Sequence, residues 1–273
     1  MRQNAADTSF DTSDSWVILT PIEQSIKRKI ESVGVPLKDW DIQINYGIKT
    51  GFNDAFIIST EKRDEILANC ADEDERERTA ELIRPILRGR DIKRYGYDWA
   101  GLWLINTHNG IKGKLERIHI EDYPAVKAHL DQYWDKISVR ADKGETPYNL
   151  RNCAYLDDFS KPKIVYREIS VEMEACLAPE SWMINNKLYM ITSNSECLEY
   201  ICAFLNSKLF SKIIMSSVNF GGGKGVDFLG SIKLPYFDKC GVFDLSQNAI
   251  AIDPYFYQLF GLTTNEIEFI ETL

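Results

Sequence analysis

The chain predicts an α+β fold, and three features of the sequence carry that expectation. Apolar residues recur at helical spacing in several stretches, such as Ile22, Ile26 and Ile30 or Leu198, Ile201, Leu205 and Leu209. Short strand-like runs lie between them, but without the regular βα alternation of a doubly wound sheet. No internal repeat of the roughly 20 to 50 residues that marks a solenoid is present. With 273 residues, 44% of them hydrophobic and 12% aromatic, the chain has ample material for a packed core.

The elements follow in order. Residues 1–15 are polar and read as a disordered segment or linker. Thr20-Pro21 opens a helix over Pro21 to Ser32, stopped by Val33-Gly-Val-Pro36, so that 16–40 reads as a helical connector. Ile42 to Tyr46 alternates like a strand, and Ala55 to Ile58 resumes it after the glycines at 47 and 51. Asp72 to Leu87 reads as one helix, with an acidic first turn suited to the helix dipole and an apolar side of Ala80, Leu82, Ile83, Ile86 and Leu87. Leu102 to Ile105 reads as a strand, and Pro124 to Ile137 as a helix with Val126, Leu130, Tyr133 and Trp134 on one face. An irregular polar segment, Arg140 to Asn152, precedes strands at Lys163–Arg167 and Lys187–Thr192. Glu196 to Ser216 reads as one long helix, Val226 to Leu234 as a strand, and Ile250 to Leu273 as a helical tail. This gives a main domain over 41–238 and a C-terminal helical tail over 239–273.

Composition excludes several classes. No apolar run approaches the roughly 18–20 residues needed to span a bilayer, and the polar N-terminal stretch shows no secretory h-region. Six scattered cysteines without a CxxC pair read as reduced thiols of a cytoplasmic protein, and three histidines without partner spacing argue against a dedicated metal site.

The net charge of −9 hides a basic island. Arg84 to Arg94 carries five cations against one anion, followed by Tyr95, Tyr97, Trp99 and Trp103. Arginine forks beside aromatic faces suit a surface that grips phosphates and reaches bases. The competing reading is an amphipathic helix ending at Gly89, whose last-turn arginines complement its dipole. Asn206–Lys233 and Lys136–Glu168 are also net basic, and a basic face on an acidic body is compatible with nucleic acid because local potential governs binding.

Catalytic signatures are missing. Gly221-Gly-Gly-Lys224-Gly225 is not a P-loop, because Val218 stands where the first glycine belongs and Gly225 where the hydroxyl belongs. It reads either as a loop whose backbone can approach a phosphate or as a mobile connection. There is no HExxH and no GxSxG. Asp157-Asp158 reads as a solvated turn. Trp99 and Trp103 read as core residues, and Tyr46 and Asn53 as support at a strand edge.

Five segments in order resemble one family. Asp41 to Phe56, with Gly47-Ile48, Thr50-Gly51, Asn53 and Ala55-Phe56, is similar to a "GI.TG.N.AF" strand region, and Arg88-Gly-Arg90-Asp-Ile-Lys93-Arg94-Tyr95 to a "GRDI.RY" segment. Tyr148 to Tyr166 resembles an "R.C.Y...F..PKIVY" block, Leu198 to Phe210 with Ile232–Pro235 an "L..LNSKLF … LP" ending, and Phe256 to Ile270 a terminal "Y.LYGLT..EI..IE" helix. The chain thus resembles the C-terminal DNA target-recognition (specificity) domain of type IIG restriction–modification enzymes and TaqI-like adenine-N6 DNA methyltransferases, related in plan to type I specificity subunits.

That resemblance implies twisted mixed and antiparallel sheets with packed helices, and a module that reads double-stranded DNA beside a methyltransferase domain or subunit. In the parents a preceding domain binds S-adenosylmethionine and carries an Asn-Pro-Pro-Tyr/Phe motif, and some also carry an N-terminal nuclease domain, so that the parent enzyme takes S-adenosylmethionine and in some cases magnesium. No Asn-Pro-Pro occurs here, so no cofactor and no catalytic residue is expected in this chain, which reads as an excised or separately encoded specificity portion. The candidate phosphate contacts are Arg88, Arg90, Lys93 and Arg94, with Lys163 and Lys224 as further DNA-facing cations. The candidate base readers are Arg140, Tyr148, Asn149, Arg151 and Asn152, since arginine can take guanine O6 and N7 and asparagine adenine N6 and N7. Two alternatives stay open: an interaction module that needs a methyltransferase partner to bind DNA, and an independent nuclease with an unrecognised carboxylate site.

Overall fold

A computed structural model of the chain describes residues 19–168, 172–215, 225–237, 245 and 249–273. The 1–15 segment and Gly221–Lys224 lie outside them.

Helix α1 (Pro21–Val33) starts at a capping box, in which the Glu23 N–H donates to Thr20 Oγ1 and the Glu23 carboxylate accepts from the Thr20 N–H at 2.7 Å. After it come β1 (Val35–Pro36), β2 (Ile42–Tyr46), a helical turn α2 (Asn53–Phe56) and β3 (Ile57–Ser59), so the expected strand at Ala55–Ile58 starts two residues late. Helices α3 (Thr60–Ala68) and α4 (Glu73–Leu82) lead into β4 (Ile83–Leu87). The helix expected to run to Leu87 therefore ends at Leu82. Pro85 has no N–H to give a helix and disfavours helical geometry at Arg84, while two neighbouring strands recruit the segment into a sheet and bury Ile83, Ile86 and Leu87.

A tight hairpin, β5 (Ile92–Lys93) and β6 (Gly96–Tyr97), follows, then β7 (Leu102–Ile105). The expected helix after Pro124 is divided into α5 (Pro124–Asp131) and α6 (Trp134–Ile137). Strands β8 (Lys163–Arg167), β9 (Ala175–Ala178), β10 (Met183–Ile184) and β11 (Leu188–Ser193) come next. The expected long helix 196–216 is split into α7 (Leu198–Leu205) and a π-helical segment, Leu209–Ile214. Asn206 sits at the break because its buried amide is engaged elsewhere: Oδ1 accepts from Ala175 N–H at 3.0 Å and Nδ2 donates to Ala175 O at 2.8 Å, which extends β9 by one side chain. The stretch expected as a strand, 226–234, is α8 (Val226–Ser231) plus a two-residue β12 (Lys233–Leu234). The tail forms α9 (Ala249–Leu259) and α10 (Thr264–Thr272).

Two four-stranded sheets organise the molecule. One has the order β10-β4-β7-β3 and is mixed, with β10 parallel to β4 and the other pairs antiparallel. The other, β2-β11-β8-β9, is antiparallel throughout. This second sheet is buried on both faces. Ile42, Ile164, Tyr166 and Ile191 point into a core shared with α1, α7, α9 and α10, whereas Val165, Cys176, Leu188 and Met190 point into a core shared with the mixed sheet and α2–α5. Strand β8 shows the period-2 division directly: Ile164 and Tyr166 face one core and Val165 the other. The 16–40 and 239–273 stretches supply part of the first core, where Glu266 of α10 accepts from Ser25 at 2.8 Å and from Lys29 at 2.6 Å on α1.

Candidate nucleic-acid interface

Polar and basic groups collect at the two ends of β4. Strand β7 runs antiparallel to β4, with Ile83 opposite Ile105 and Pro85 opposite Trp103. Arg88 thus leaves β4 at one end, while Asn106 leaves β7 at the other, its N–H on Leu82 O at 3.2 Å. Six steps of ~3.3 Å place the two exits on the order of 20 Å apart.

The first end is the basic hairpin. The sequence points to Arg88 as a phosphate grip, but its fork lies on the buried Asp91, Nε to Oδ2 at 3.2 Å and Nη2 to Oδ1 at 3.0 Å. It closes the turn over Gly89–Asp91, and its bidentate capacity is occupied. Arg90 is exposed and makes no ion pair among the described residues. Lys93 is exposed, with Asp98 at a loose 3.9 Å, and Arg94 lies 5.2 Å over the Tyr95 ring. Tyr95 holds a left-handed backbone, φ 65°, which is unfavourable for a side chain with Cβ. Its N–H bonds to Ala175 O at 2.9 Å and its ring packs on the first core, so the tip is fixed and Lys93 and Arg94 project from it. Trp99 and Trp103 are half-buried against the second core, edge to face at 5.3 Å, with Trp182 5.2 Å from Trp99. They belong to the packing, as the sequence suggests.

The second end is built from two loops, 106–119 and 138–154, and it holds the cleft bounded by Asn109, Lys112, Arg117, His119, Glu145 and Asn152, about 660 Å3 in volume. Arg140 organises it. The side chain is buried over the Phe56 ring at 4.4 Å; Nη1 donates to Thr50 O and to Asp142 O at 2.6 Å, and Nη2 to Pro147 O at 3.0 Å and Asn149 O at 2.6 Å. Burial brings its guanidinium down to about 10, yet four carbonyls keep it paired. Asn149 is buried too: Nδ2 donates to Ile118 O at 2.8 Å and Oδ1 accepts from Thr146 at 2.7 Å. Lys163, likewise buried, donates to the carbonyls of Phe159, Lys161 and Pro179 at 2.9, 3.1 and 3.0 Å, and burial lowers its ammonium to about 8. These three correct the sequence reading. Apart from Arg140 Nε, which has no partner, their donors go to main-chain oxygens, so Arg140 and Asn149 hold the two loops, Lys163 ties Phe159 and Lys161 to Pro179, and none of the three presents a free side chain at the surface.

The other candidates lie at the surface. The Tyr148 hydroxyl donates to Asp131 at 2.6 Å, with Lys127 5.3 Å over its ring. Arg151 is exposed and pairs with Asp142 at 3.0 Å. Asn152 is exposed on the cleft, its Oδ1 accepting from Asn109 Nδ2. Lys224 lies outside the described residues. Asp158 corrects the solvated-turn reading: it is buried, accepting from Asn45 at 3.1 Å and pairing with Lys161 at 2.9 Å, while Asp157 pairs with Lys114.

Sequence reasoning missed the whole 106–119 loop. Lys112 is exposed with no ionic partner among the described residues, and Arg117 meets Glu145 at 3.3 Å. The signal was present, since Asn109-Gly110 and Lys112-Gly113-Lys114 directly follow a strand, and both glycines adopt positive φ, 71° and 76°. Together the two loops carry six cations against three anions. They can present amide, guanidinium and ammonium donors to a polyanion and to base edges.

The type IIG restriction endonuclease BpuSI has a similar structure, with TM-score 0.53 and 15% identity over 93% of this chain and 32% of that one. The type IIL restriction–modification enzyme MmeI, solved in complex with DNA, aligns at TM-score 0.44 and 12% identity over 64% of this chain and 22% of that one. This chain spans about a third of the BpuSI chain. Residues 84–224, from β4 through the glycine run, match the TaqI-like C-terminal specificity domain. The chain belongs to the family of TaqI-like C-terminal specificity domains.

Proposed function

We propose that this chain recognises a short double-stranded DNA site and serves as the specificity portion of a type IIG restriction–modification enzyme that methylates adenine N6. The observation that supports this most directly is the second end of β4. There, polar side chains sit on two loops immobilised from beneath by Arg140 and Asn149, the arrangement that base-edge reading requires. Arg90, Lys93 and Arg94, about 20 Å away along β4, are then phosphate contacts that set register without carrying sequence information. That separation exceeds the ~12 Å width of one major groove, so the hairpin falls on backbone beyond the groove being read.

By this reading S-adenosylmethionine is held by a methyltransferase partner, fused or separate, magnesium belongs to a nuclease domain where the parent has one, and this chain contributes positioning alone. No step of the chemistry is assigned to its residues. No described helix is long and apolar enough to cross a membrane, and the cytoplasm is the proposed location because that is where the DNA lies.

Binding of a duplex pool across a salt series tests the proposal. Affinity is expected to fall steeply with salt, by release of about 0.9 counterion per phosphate contacted. Tight binding to a methyltransferase subunit, with no duplex affinity of the chain alone and duplex affinity only in the complex, would replace it with the interaction-module reading. Magnesium-dependent cleavage of DNA by the pure chain would replace it with the nuclease reading.

A further inference from the structure

We propose, resting on the DNA-reading function above, that Asn152 reads guanine. The fold sets its side-chain oxygen on Asn109 and leaves its NH2 end without a partner among the described residues. Amide direction in a carboxamide pair is open to reversal unless something asymmetric fixes it. Here a main-chain group does so. The Glu145 N–H can only donate, and it meets Asn109 Oδ1 at 2.7 Å. Reversing Asn109 would set its NH2 against that N–H. Asn109 Nδ2 is therefore the end turned toward Asn152, and it meets Asn152 Oδ1. Reversing Asn152 would set NH2 against NH2. The polarity of one backbone amide thus passes through two side chains and emerges as the Nδ2 of Asn152, which donates to no other group among the described residues.

The surroundings keep the relay in place. A Cβ at Gly144 would lie 2.4 Å from Asn109 Oδ1, so glycine alone lets the loop close on that oxygen. The Gly144 N–H is tied to Asn149 O at 2.9 Å, and Asn149 is itself buried. Arg117 pairs with Glu145 at 3.3 Å across the same cleft. Asn152 stands exposed at its rim.

The base follows from the hydrogen-bond code of the major groove. Reading adenine takes both ends of an amide, one accepting from N6 and one donating to N7. Asn152 has one lone pair of its oxygen taken by Asn109, and its NH2 is the end left with no partner among the described residues, so it leads with donors. Guanine presents two acceptors, O6 and N7, and matches it; cytosine presents the N4 donor and opposes it. The sequence-based pairing of asparagine with adenine is reversed by the Asn109 contact.

Selection of duplexes from a randomised pool by this chain, followed by sequencing, tests the assignment, with a melting curve on each variant to confirm folding. The unmodified chain is expected to select a site containing a guanine whose enrichment Asn152→Ala removes at one position only, a loss of roughly 5- to 150-fold in discrimination. Asn152→Asp, which can only accept, is expected to move that position toward cytosine. Asn109→Leu releases the amide, so the position should admit adenine beside guanine. A site unchanged by Asn152→Ala, or an Asn152-dependent position that selects adenine in the unmodified chain, overturns the assignment and leaves DNA reading intact. A pool in which the unmodified chain enriches no sequence overturns the DNA-reading function itself.

Discussion

The two ends of β4 use the same kinds of side chain in opposite ways. At the hairpin, three of four cations are free of close ion pairs among the described residues, Arg90 in the turn before a two-stranded ribbon and Lys93 and Arg94 on it, its tip pinned at Tyr95. At the loop end, the most prominent cation, Arg140, is buried and donates four times to main-chain oxygens, and the groups left at the surface are amides, the paired Lys114, Arg117 and Arg151, and Lys112 and Lys143, which make no ion pair among the described residues. A basic sequence island is therefore no measure of available charge. What decides availability is how many carbonyls converge on a side chain, because a buried cation is tolerated only when its donors are met. The hairpin offers charge and the loop end offers direction, which are the two things that a sequence-reading surface must supply separately.

Three substitutions probe that contrast, in decreasing order of effect. Arg140→Ala strips hydrogen bonds from four carbonyls around one buried site, and each acceptor left unmet costs about 1–3 kcal/mol. A loss of about 3 kcal/mol or more in denaturant unfolding is expected, and a loss below about 1 kcal/mol would show that Arg140 is not the organiser of the loops. Asp91→Ala breaks the bidentate pair and frees the Arg88 fork. It should cost about 1–2 kcal/mol of stability yet raise duplex affinity at low salt and steepen the salt slope by about one unit. Unchanged affinity would place the hairpin away from DNA. Replacing Arg90, Lys93 and Arg94 together by alanine should leave stability within about 0.5 kcal/mol. The salt slope should flatten by up to about 0.9 for each phosphate no longer neutralised, with the selected sequence unaltered. A changed sequence preference would mean that the hairpin reads bases.

Much of the frame is legible in the residues. Helix α1 announces itself through Thr20, Pro21, Glu23 and the isoleucine spacing, and β2, β7, β8 and β11 through short apolar or alternating runs. Strand β4 is not legible, because Leu82, Ile83, Ile86 and Leu87 fit a helical face as well as a doubly buried strand, and the deciding partners lie in β7 and β10. The interface is legible only as a neighbourhood. The stretch 140–152 is marked by its polarity, but burial of Arg140 depends on Thr50, 90 residues away, and the orientation of Asn152 on Asn109, 43 residues away. Such partners leave no periodic trace. Sequence pattern reports which face of an element is apolar, whereas the fate of an isolated polar residue is settled by whatever the fold brings beside it.

The pairing of β2 with β11, which sets Tyr46 opposite Tyr189, bears on how such a protein can be made and remade. As the chain leaves the ribosome, β2 must wait for almost the whole domain before its neighbour in the sheet exists, and β1 waits longer still for β12. Joining strands this distant is slow, since the loop entropy is spent before the sheet repays it. It also means that the family-matched stretch 84–224 is not a cassette: cut out, it would leave β11 with a bare edge and deprive the mixed sheet of β3. A new DNA specificity is better sought by rewriting 106–119 and 138–154 on an intact, end-closed frame than by transplanting the segment that carries them.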